Sequence, residues 1–143
     1  MQRPKNSRYQ KGWKTLRAIN SQAGERILEL LKDISPDMAR FVIEYPYGDI
    51  FSRPGLDLRT RELITIASLT TLGFAKGQLK AHIHNALNAK CSKQEITETI
   101  MQMSVYAGFP AALNALFIAQ DVFKEKGLIK SKTIKPLKAK GKI

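Results

Sequence analysis

The chain has 143 residues, of which 43% are hydrophobic, a size and composition typical of one globular domain with a substantial core. Lys and Arg outnumber Asp and Glu by 24 to 12, which gives a net charge of +12. No apolar run approaches the roughly 20 residues of a membrane span, and no apolar stretch follows the basic N-terminus, so we predict a cytoplasmic protein that does not enter a membrane. The single Cys91 excludes an internal disulfide and a zinc site built from thiolates.

The positive charge is concentrated at the two ends of the chain. Residues 1–17 carry six Lys or Arg and no acid, and residues 124–143 carry eight Lys and one Glu. Residues 18–123 are close to neutral, with ten basic and eleven acidic side chains. Terminal blocks of like charge are usually solvated, and they attract polyanions only weakly and in a salt-dependent way. Incidental surface charge is the favoured interpretation, and a nucleic acid or other polyanion bound through the ends is the alternative.

The first half of the chain predicts short helices and one loop. Helical periodicity indicates helices at about residues 9–19 and 22–32. A third helix is expected to begin at Pro36, since Pro is favoured at the first helical position, and to weaken or kink at Pro46. Residues 48–56 contain the turn sequence SRPG and are predicted to form a loop.

The second half of the chain predicts four longer helices with defined ends. Asp57 is a suitable N-cap, Gly73 a suitable C-terminal stop, and Ser92 with Glu95 reads as a capping box. The predicted helices run from Asp57 to about Leu72, from about Lys76 to Asn88, from Ser92 to Ala107, and from about Ala111 to Lys126. We therefore expect an all-α bundle of about six or seven helices.

This pattern divides the chain into three parts. Residues 1–20 form a basic N-terminal segment with a short helix, residues 21–127 the helical domain, and residues 128–143 a Lys-rich, flexible tail. The helix over residues 60–72 is apolar on more than one side, which is typical of a central helix or a subunit contact. Because so short a chain has limited room for fully buried helices, we expect a homo-oligomer.

Two ionisable residues lie within apolar helical patterns and are candidates for catalysis. His82 borders the inward stripe of its helix, whereas His84 should face away, so the two do not form a metal pair. His82 is either a hydrogen-bonded residue at the edge of the core or a proton shuttle, since its ordinary pKa of about 6.5 suits transfer near neutral pH. Glu62 is either an acid of the first helical turn, favoured by the helix dipole, or a general base or orienting partner for His82.

Further candidates would contact a substrate. Tyr106 is either packed with its hydroxyl satisfied or a hydrogen-bond donor to substrate. Arg53, Arg59 and Arg61 could clamp an anionic substrate, because guanidinium groups bind carboxylates through two hydrogen bonds. Cys91 is interpreted as a structural or idle thiol.

Three segments together resemble the carboxymuconolactone decarboxylase family: RTRELITIASLTTLG, QLKAHIHNAL and YAGFPAALNA, at residues 59–73, 78–87 and 106–115. The resemblance covers residues from about 36 to 124. It implies the all-α fold of the alkylhydroperoxidase AhpD group and, by similarity to the decarboxylase, a hexamer built from dimers.

The resemblance also separates two kinds of chemistry. The redox branch of the family carries Cys-x-x-Cys, with a His four residues beyond the second Cys and a Glu one helix earlier. His82 takes the place of that His. Glu62 lies close to the position of that Glu, but one more residue separates it from His82 than separates the two in the redox branch. The Cys positions fall on Ala75 and Gln78, so the thiols that a dithiol peroxidase needs are missing.

The branch without these thiols implies a cofactor-independent, metal-independent decarboxylase that converts γ-carboxymuconolactone to an enol-lactone and carbon dioxide in aromatic catabolism. In that reaction His82 would donate a proton to carbon, Glu62 would set its tautomer, Arg53 or Arg61 would anchor a carboxylate, and Tyr106 would donate to oxygen. Another small carboxylate or lactone would suit the same core. The alternative is a non-catalytic oligomeric module that binds a polyanion or protein partner through its basic tails.

Overall fold

The computed structural model describes residues 7–130. Residues 1–6 and 131–143, which include most of the predicted flexible tail, lie outside that range. All regular secondary structure in the described range is helical, as the periodicity predicted. It comprises α1 (Ser7–Ile19), α2 (Ala23–Leu31), α3 (Pro36–Val42), a π-helix (Ile43–Phe51), α4 (Leu58–Leu72), α5 (Lys76–Asn88), α6 (Lys93–Ala107) and α7 (Phe109–Glu125).

The π-helix is the main departure from the predicted elements. The sequence predicted a loop from residue 48, but helical structure continues from α3 through Phe51. Pro46 lies inside this segment, and Pro cannot donate the hydrogen bond that a regular helix needs there. A π-helix widens the turn and bonds each residue to the fifth along, which gives the proline ring space. The loop therefore begins only at Ser52.

Close contact between α1 and the π-helix depends on two glycines. A Cβ added at Gly12 would overlap the carbonyl oxygen of Ile43, and one added at Gly48 would lie 2.6 Å from the carbonyl oxygen of Arg8. Both clashes are with backbone, which cannot rotate away. A small core joins the two elements: Tyr9, Trp13, Leu16, Ile19, Ile43 and Tyr47.

Replacing Gly12 by Ala should destabilise the protein by about 1–3 kcal/mol, since overpacking forces the backbone apart. Gly77 is the matched control, because a Cβ there would meet nothing within 4 Å. Gly77→Ala should instead stabilise by about 0.4–1 kcal/mol through the unfolded state. Urea denaturation of the two variants measures both effects, and equal stabilities would show that the helix contact is not tight.

The larger core lies between α4, α5, α6 and α7. Its fully buried side chains include Ile66, Ile83, Ile96, Ile100 and Val122. Three residues connect α4 to α5, and so short a connection makes the two helices antiparallel neighbours. Within this hairpin the Glu62 side chain, in the second turn of α4, contacts His82 near the middle of α5.

The predicted helix ends of this hairpin and of α6 are confirmed. The Asp57 carboxylate accepts a hydrogen bond from the Thr60 N–H at 2.7 Å, and Gly73 ends α4 with a φ of 75°. Ser92 and Glu95 form both hydrogen bonds of a capping box. α7 begins at Phe109, two residues earlier than predicted, because Pro110 occupies its first turn, where no N–H is required.

Many large apolar side chains remain exposed on the described part of the single chain. One set lies on α6 and α7 and is called here the α6–α7 apolar face: Met101, Val105, Tyr106, Phe109, Leu113 and Phe117. A second set follows the chain from α2 to the π-helix: Leu30, Ile34, Met38, Phe41 and Tyr45. Among residues 7–130, no helix is both long enough and apolar enough to cross a membrane.

Candidate active site

Glu62 and His82 form a hydrogen-bonded pair at the α4–α5 contact. Oε2 of Glu62 lies 2.7 Å from Nδ1 of His82. The Glu62 side chain is fully buried, whereas the His82 side chain keeps 19% of its surface exposed. An ionised carboxylate only accepts hydrogen bonds, so Nδ1 must carry the proton when Glu62 is charged. Nε2, on the other side of the ring, is then the atom available to a substrate.

The second carboxylate oxygen of Glu62 is left without a partner. Oε1 is buried and has no hydrogen bond within residues 7–130. Leaving a buried charged acceptor half satisfied costs stability, so such a group in a folded protein calls for an explanation. Glu62 begins the buried stripe of α4, which continues one and two turns later with Ile66 and Thr70. A carboxylate in this stripe is placed to act on His82 without contacting bulk water.

Tyr47 belongs to the surroundings of this pair, although the sequence did not identify it. Burial raises the pKa of Tyr47 well above its ordinary value, and the negative charge of Glu62 raises it further. Tyr47 therefore remains protonated at neutral pH and lies within the electrostatic reach of the carboxylate. We predicted a loop over residues 48–56 and so did not expect Tyr47 to lie near Glu62. In the structure Tyr47 belongs to the π-helix and is buried.

Arg61 and Arg53 lie together beside the start of α4. Nε of Arg61 donates to the carbonyl oxygen of Leu56 at 3.2 Å, and Nη2 donates to that of Arg53 at 3.1 Å. Arg61 therefore holds the loop that precedes α4, and no residue from 7 to 130 forms a hydrogen bond with its Nη1. The Arg53 side chain is exposed.

Two other predicted contact residues have different surroundings. Arg59 forms a 2.6 Å ion pair with Glu95 and also donates to the carbonyl oxygen of Lys90, so it connects α4 to the start of α6. Its charge is therefore already paired. Tyr106 is 76% exposed and lies on the α6–α7 apolar face. The structure brings Glu62 and His82 together, but it gives no contact between Tyr106 and that pair.

The remaining candidates do not add to the pair. His84 faces away from His82, as the spacing predicted, and its Nε2 lies 3.1 Å from Oε2 of Glu125. Cys91 is buried, its thiol lies 3.7 Å from the carbonyl oxygen of Arg59, and burial raises its pKa. Between Ser7 and Lys130, no group of three or more His, Cys, Asp or Glu side chains is arranged to hold a metal ion.

Comparison with known proteins identifies relatives with a named chemistry. The chain is 39% identical to a 4-carboxymuconolactone decarboxylase of Acinetobacter baylyi over 110 residues, 77% of this chain and 81% of the relative. It is 32% identical to a nitrosuccinic acid decarboxylase of Metarhizium robertsii over 89 residues, 59% of this chain and 58% of the relative. It is also 38% identical to an uncharacterised 15.0 kDa protein of Paracoccus denitrificans, over 82% of this chain and 88% of that protein.

The family model agrees with these relatives. Residues 36–121 match the model of the carboxymuconolactone decarboxylase family. The match begins at the first residue of α3 and ends near the end of α7, so it includes both members of the Glu62–His82 pair. The chain belongs to the carboxymuconolactone decarboxylase family.

Proposed function

We propose that this protein is a cofactor-independent decarboxylase that acts on a small carboxylated lactone and uses His82 as the proton donor. The names of two relatives support a decarboxylase, since one acts on 4-carboxymuconolactone and the other on nitrosuccinic acid. The observation that carries the proposal is the 2.7 Å contact between buried Glu62 and partly exposed His82. Such a carboxylate–imidazole pair is suited to proton transfer at the exposed ring nitrogen.

The pair would supply one proton to carbon. When the bond to the substrate carboxylate breaks, carbon dioxide leaves and the electron pair stays on the substrate as a dienolate, delocalised onto the lactone carbonyl. The imidazolium form of His82 then donates the Nε2 proton to carbon. Neutral His82 keeps its Nδ1–H bonded to Glu62 and regains a proton from water at its exposed edge. Glu62 contributes by stabilising the imidazolium and fixing its orientation.

Substrate binding would use groups near the start of α4 and on the α6–α7 apolar face. Arg61 has Nη1 available for a substrate carboxylate while its other donors hold the loop. Arg53 is exposed beside it and would provide a second cation. Tyr106 would donate to a substrate oxygen. Because it is exposed on an apolar face, Tyr106 fits this role best if another subunit encloses that face.

The activity is tested by incubating the purified protein with γ-carboxymuconolactone and following carbon dioxide release. We expect turnover in the presence of a chelator and without any added cofactor. Heat-denatured protein provides the blank for any release of carbon dioxide that the folded protein does not catalyse. If the lactone is not consumed, the same assay with nitrosuccinic acid tests the second relative's substrate. Failure with both acids would reject the proposed decarboxylase.

We also propose that the protein assembles into a homo-oligomer, a hexamer if it follows the assembly expected of this family. Six large side chains on the α6–α7 apolar face stand exposed on the single chain. Large exposed apolar side chains in this number on two adjacent helices are typical of a surface that contacts another protein chain. Light scattering after gel filtration should therefore give a mass several times that of one chain.

Val105 lies on this face and is 76% exposed. Val105→Glu should convert the oligomer into smaller species, because burying an unpaired carboxylate at an interface is costly. Leu128→Glu, at an exposed position outside both apolar sets, is the matched control and should keep the wild-type mass. If the wild-type protein is a monomer by gel filtration at about 50 µM, the proposed homo-oligomer is rejected.

A further inference from the structure

Asn85 is a buried polar residue of α5 that has no part in the proton transfer. It is 4% exposed and lies three residues after His82 on the same helix. Side chains three residues apart on a helix are neighbours, with Cβ atoms about 5–6 Å apart. His82 contacts Glu62 on α4, and Asn85 contacts Asn20 at the end of α1. A small molecule held against the exposed edge of His82 is therefore well placed to meet the Asn85 amide.

The hydrogen bonds of Asn20 determine which way the Asn85 amide faces. Oδ1 of Asn20 accepts from the Gln22 N–H at 3.2 Å, so the NH₂ group of Asn20 is the end that is turned to Asn85. The distance between the two side chains is 3.3 Å, and only the Oδ1 atom of Asn85 can accept from an NH₂ group. The NH₂ group of Asn85 therefore faces away from Asn20.

This NH₂ group is a donor without a partner. It forms no hydrogen bond within residues 7–130, yet it is not sealed from solvent, unlike the unpartnered oxygen of Glu62. The small exposed part of Asn85 thus includes two N–H groups whose direction a neighbouring side chain sets. A donor that is already oriented needs little rearrangement when negative charge develops beside it, and such donors stabilise oxyanions.

We propose that the Asn85 NH₂ group donates a hydrogen bond to the lactone carbonyl oxygen of the substrate, where negative charge collects after carbon dioxide leaves. This assignment rests on the proposed decarboxylase reaction and adds a donor from the helix that carries the proton donor. Tyr106, by comparison, is 76% exposed on the α6–α7 apolar face. With His82 protonating carbon and Asn85 stabilising oxygen, one face of α5 serves both ends of the dienolate.

Isothermal titration with tetronate tests the donor without any turnover. Tetronate is a five-membered lactone that is an enolate at neutral pH, so it has the ring and the charge of the dienolate. The wild-type protein should bind it, and Asn85→Leu should bind it about tenfold more weakly, the loss expected for one hydrogen bond to a charged group. Asn88→Leu, at an exposed position one turn later on α5, is the matched control and should bind like wild type.

A second variant leaves Asn85 in place and turns its amide around. Asn20→Asp puts an acceptor opposite that amide, since an ionised carboxylate cannot donate. The Asn85 NH₂ group then turns to residue 20 and its carbonyl oxygen faces the ligand, so tetronate binding should again weaken by about tenfold or more. Ser21→Asp adds the same charge at the neighbouring exposed position and should bind tetronate within about twofold of wild type.

The kinetics of Asn85→Leu distinguish stabilisation of the dienolate from simple substrate binding. Its kcat for carbon dioxide release from γ-carboxymuconolactone should fall by about 100-fold, the loss typical of one oxyanion donor, while KM changes by less than about threefold. An Asn85→Leu protein with wild-type kcat would overturn the role of Asn85 and leave the decarboxylase itself intact.

The binding results decide the assignment independently of turnover. It is overturned if the wild-type protein does not bind tetronate, if Asn85→Leu binds it equally well, or if the two controls lose as much affinity as the variants they match. If tetronate binds through Asn85 but the wild-type protein releases no carbon dioxide, the proposed reaction is wrong and Asn85 remains the oxyanion donor of the site.

Discussion

Replacing His82 by Gln should lower the rate of carbon dioxide release by at least about 100-fold, the loss expected when a positioned proton donor is removed. Gln retains hydrogen-bonding ability, but it cannot carry the proton that the dienolate requires. The dienolate left after carbon dioxide departs would then be protonated only by water, which slows each turnover. The measurement is kcat with γ-carboxymuconolactone, alongside circular dichroism to show that the helices are intact.

His84 provides a control on the same helix. It lies two residues from His82, faces Glu125 and is partly exposed. His84→Gln should therefore keep the wild-type kcat within about twofold, since surface changes away from a site have small effects. A His82→Gln protein that is as active as His84→Gln would show that His82 is only a core-edge imidazole, the alternative that the sequence left open.

Replacing Glu62 by Gln should also reduce kcat, by up to about 100-fold. Loss of a residue that orients a functional histidine typically costs about 10- to 100-fold in activity. The amide has nearly the same shape but no charge, so it does not stabilise the imidazolium. Its NH₂ group can also donate to Nδ1 of His82, which reverses the tautomer that the carboxylate enforces. Single-turnover kinetics should place the loss in the chemical step, with substrate binding little changed.

Glu125 is the matched control for this substitution, since it is the carboxylate beside the other histidine. Glu125→Gln should leave kcat within about twofold of wild type, as expected of a surface change. The stability of Glu62→Gln is also informative. Since Oε1 of Glu62 has no hydrogen-bond partner among residues 7–130, an isosteric neutral side chain should not unfold the protein. A Glu62→Gln protein with full activity would reject the orienting role.

Most of the fold could be predicted from local chemistry. The caps at Asp57 and Ser92 and the stop at Gly73 depend on side chains within three residues of the helix end, so a short stretch of sequence determines them. Glu62 and His82 each lie on the inward side of a helix, and a three-residue connection makes these two helices neighbours. Their contact could therefore be expected from the sequence. The close crossing at Gly12 could not be predicted, because it depends on contact with a segment some thirty residues further along the chain.

The surroundings of the pair were harder to predict for the same reason. Pro46 and the SRPG turn indicated a break in the chain, and the widened helix that carries Tyr47 inward has no strong local signal. Thr70 follows Glu62 by eight residues on one helical face, so a strict reading of that spacing would have placed its hydroxyl inside.

A double-mutant cycle tests most directly whether Glu62 and His82 act as one proton-donating unit. It compares kcat for carbon dioxide release from γ-carboxymuconolactone in wild type, Glu62→Gln, His82→Gln and the double variant. If Glu62 acts only through His82, the double variant should be no slower than His82→Gln alone, since the partner has nothing left to orient. If the fold-losses in kcat of the two single variants multiply in the double variant, Glu62 and His82 contribute independently. That result would contradict the claim that Glu62 acts through His82.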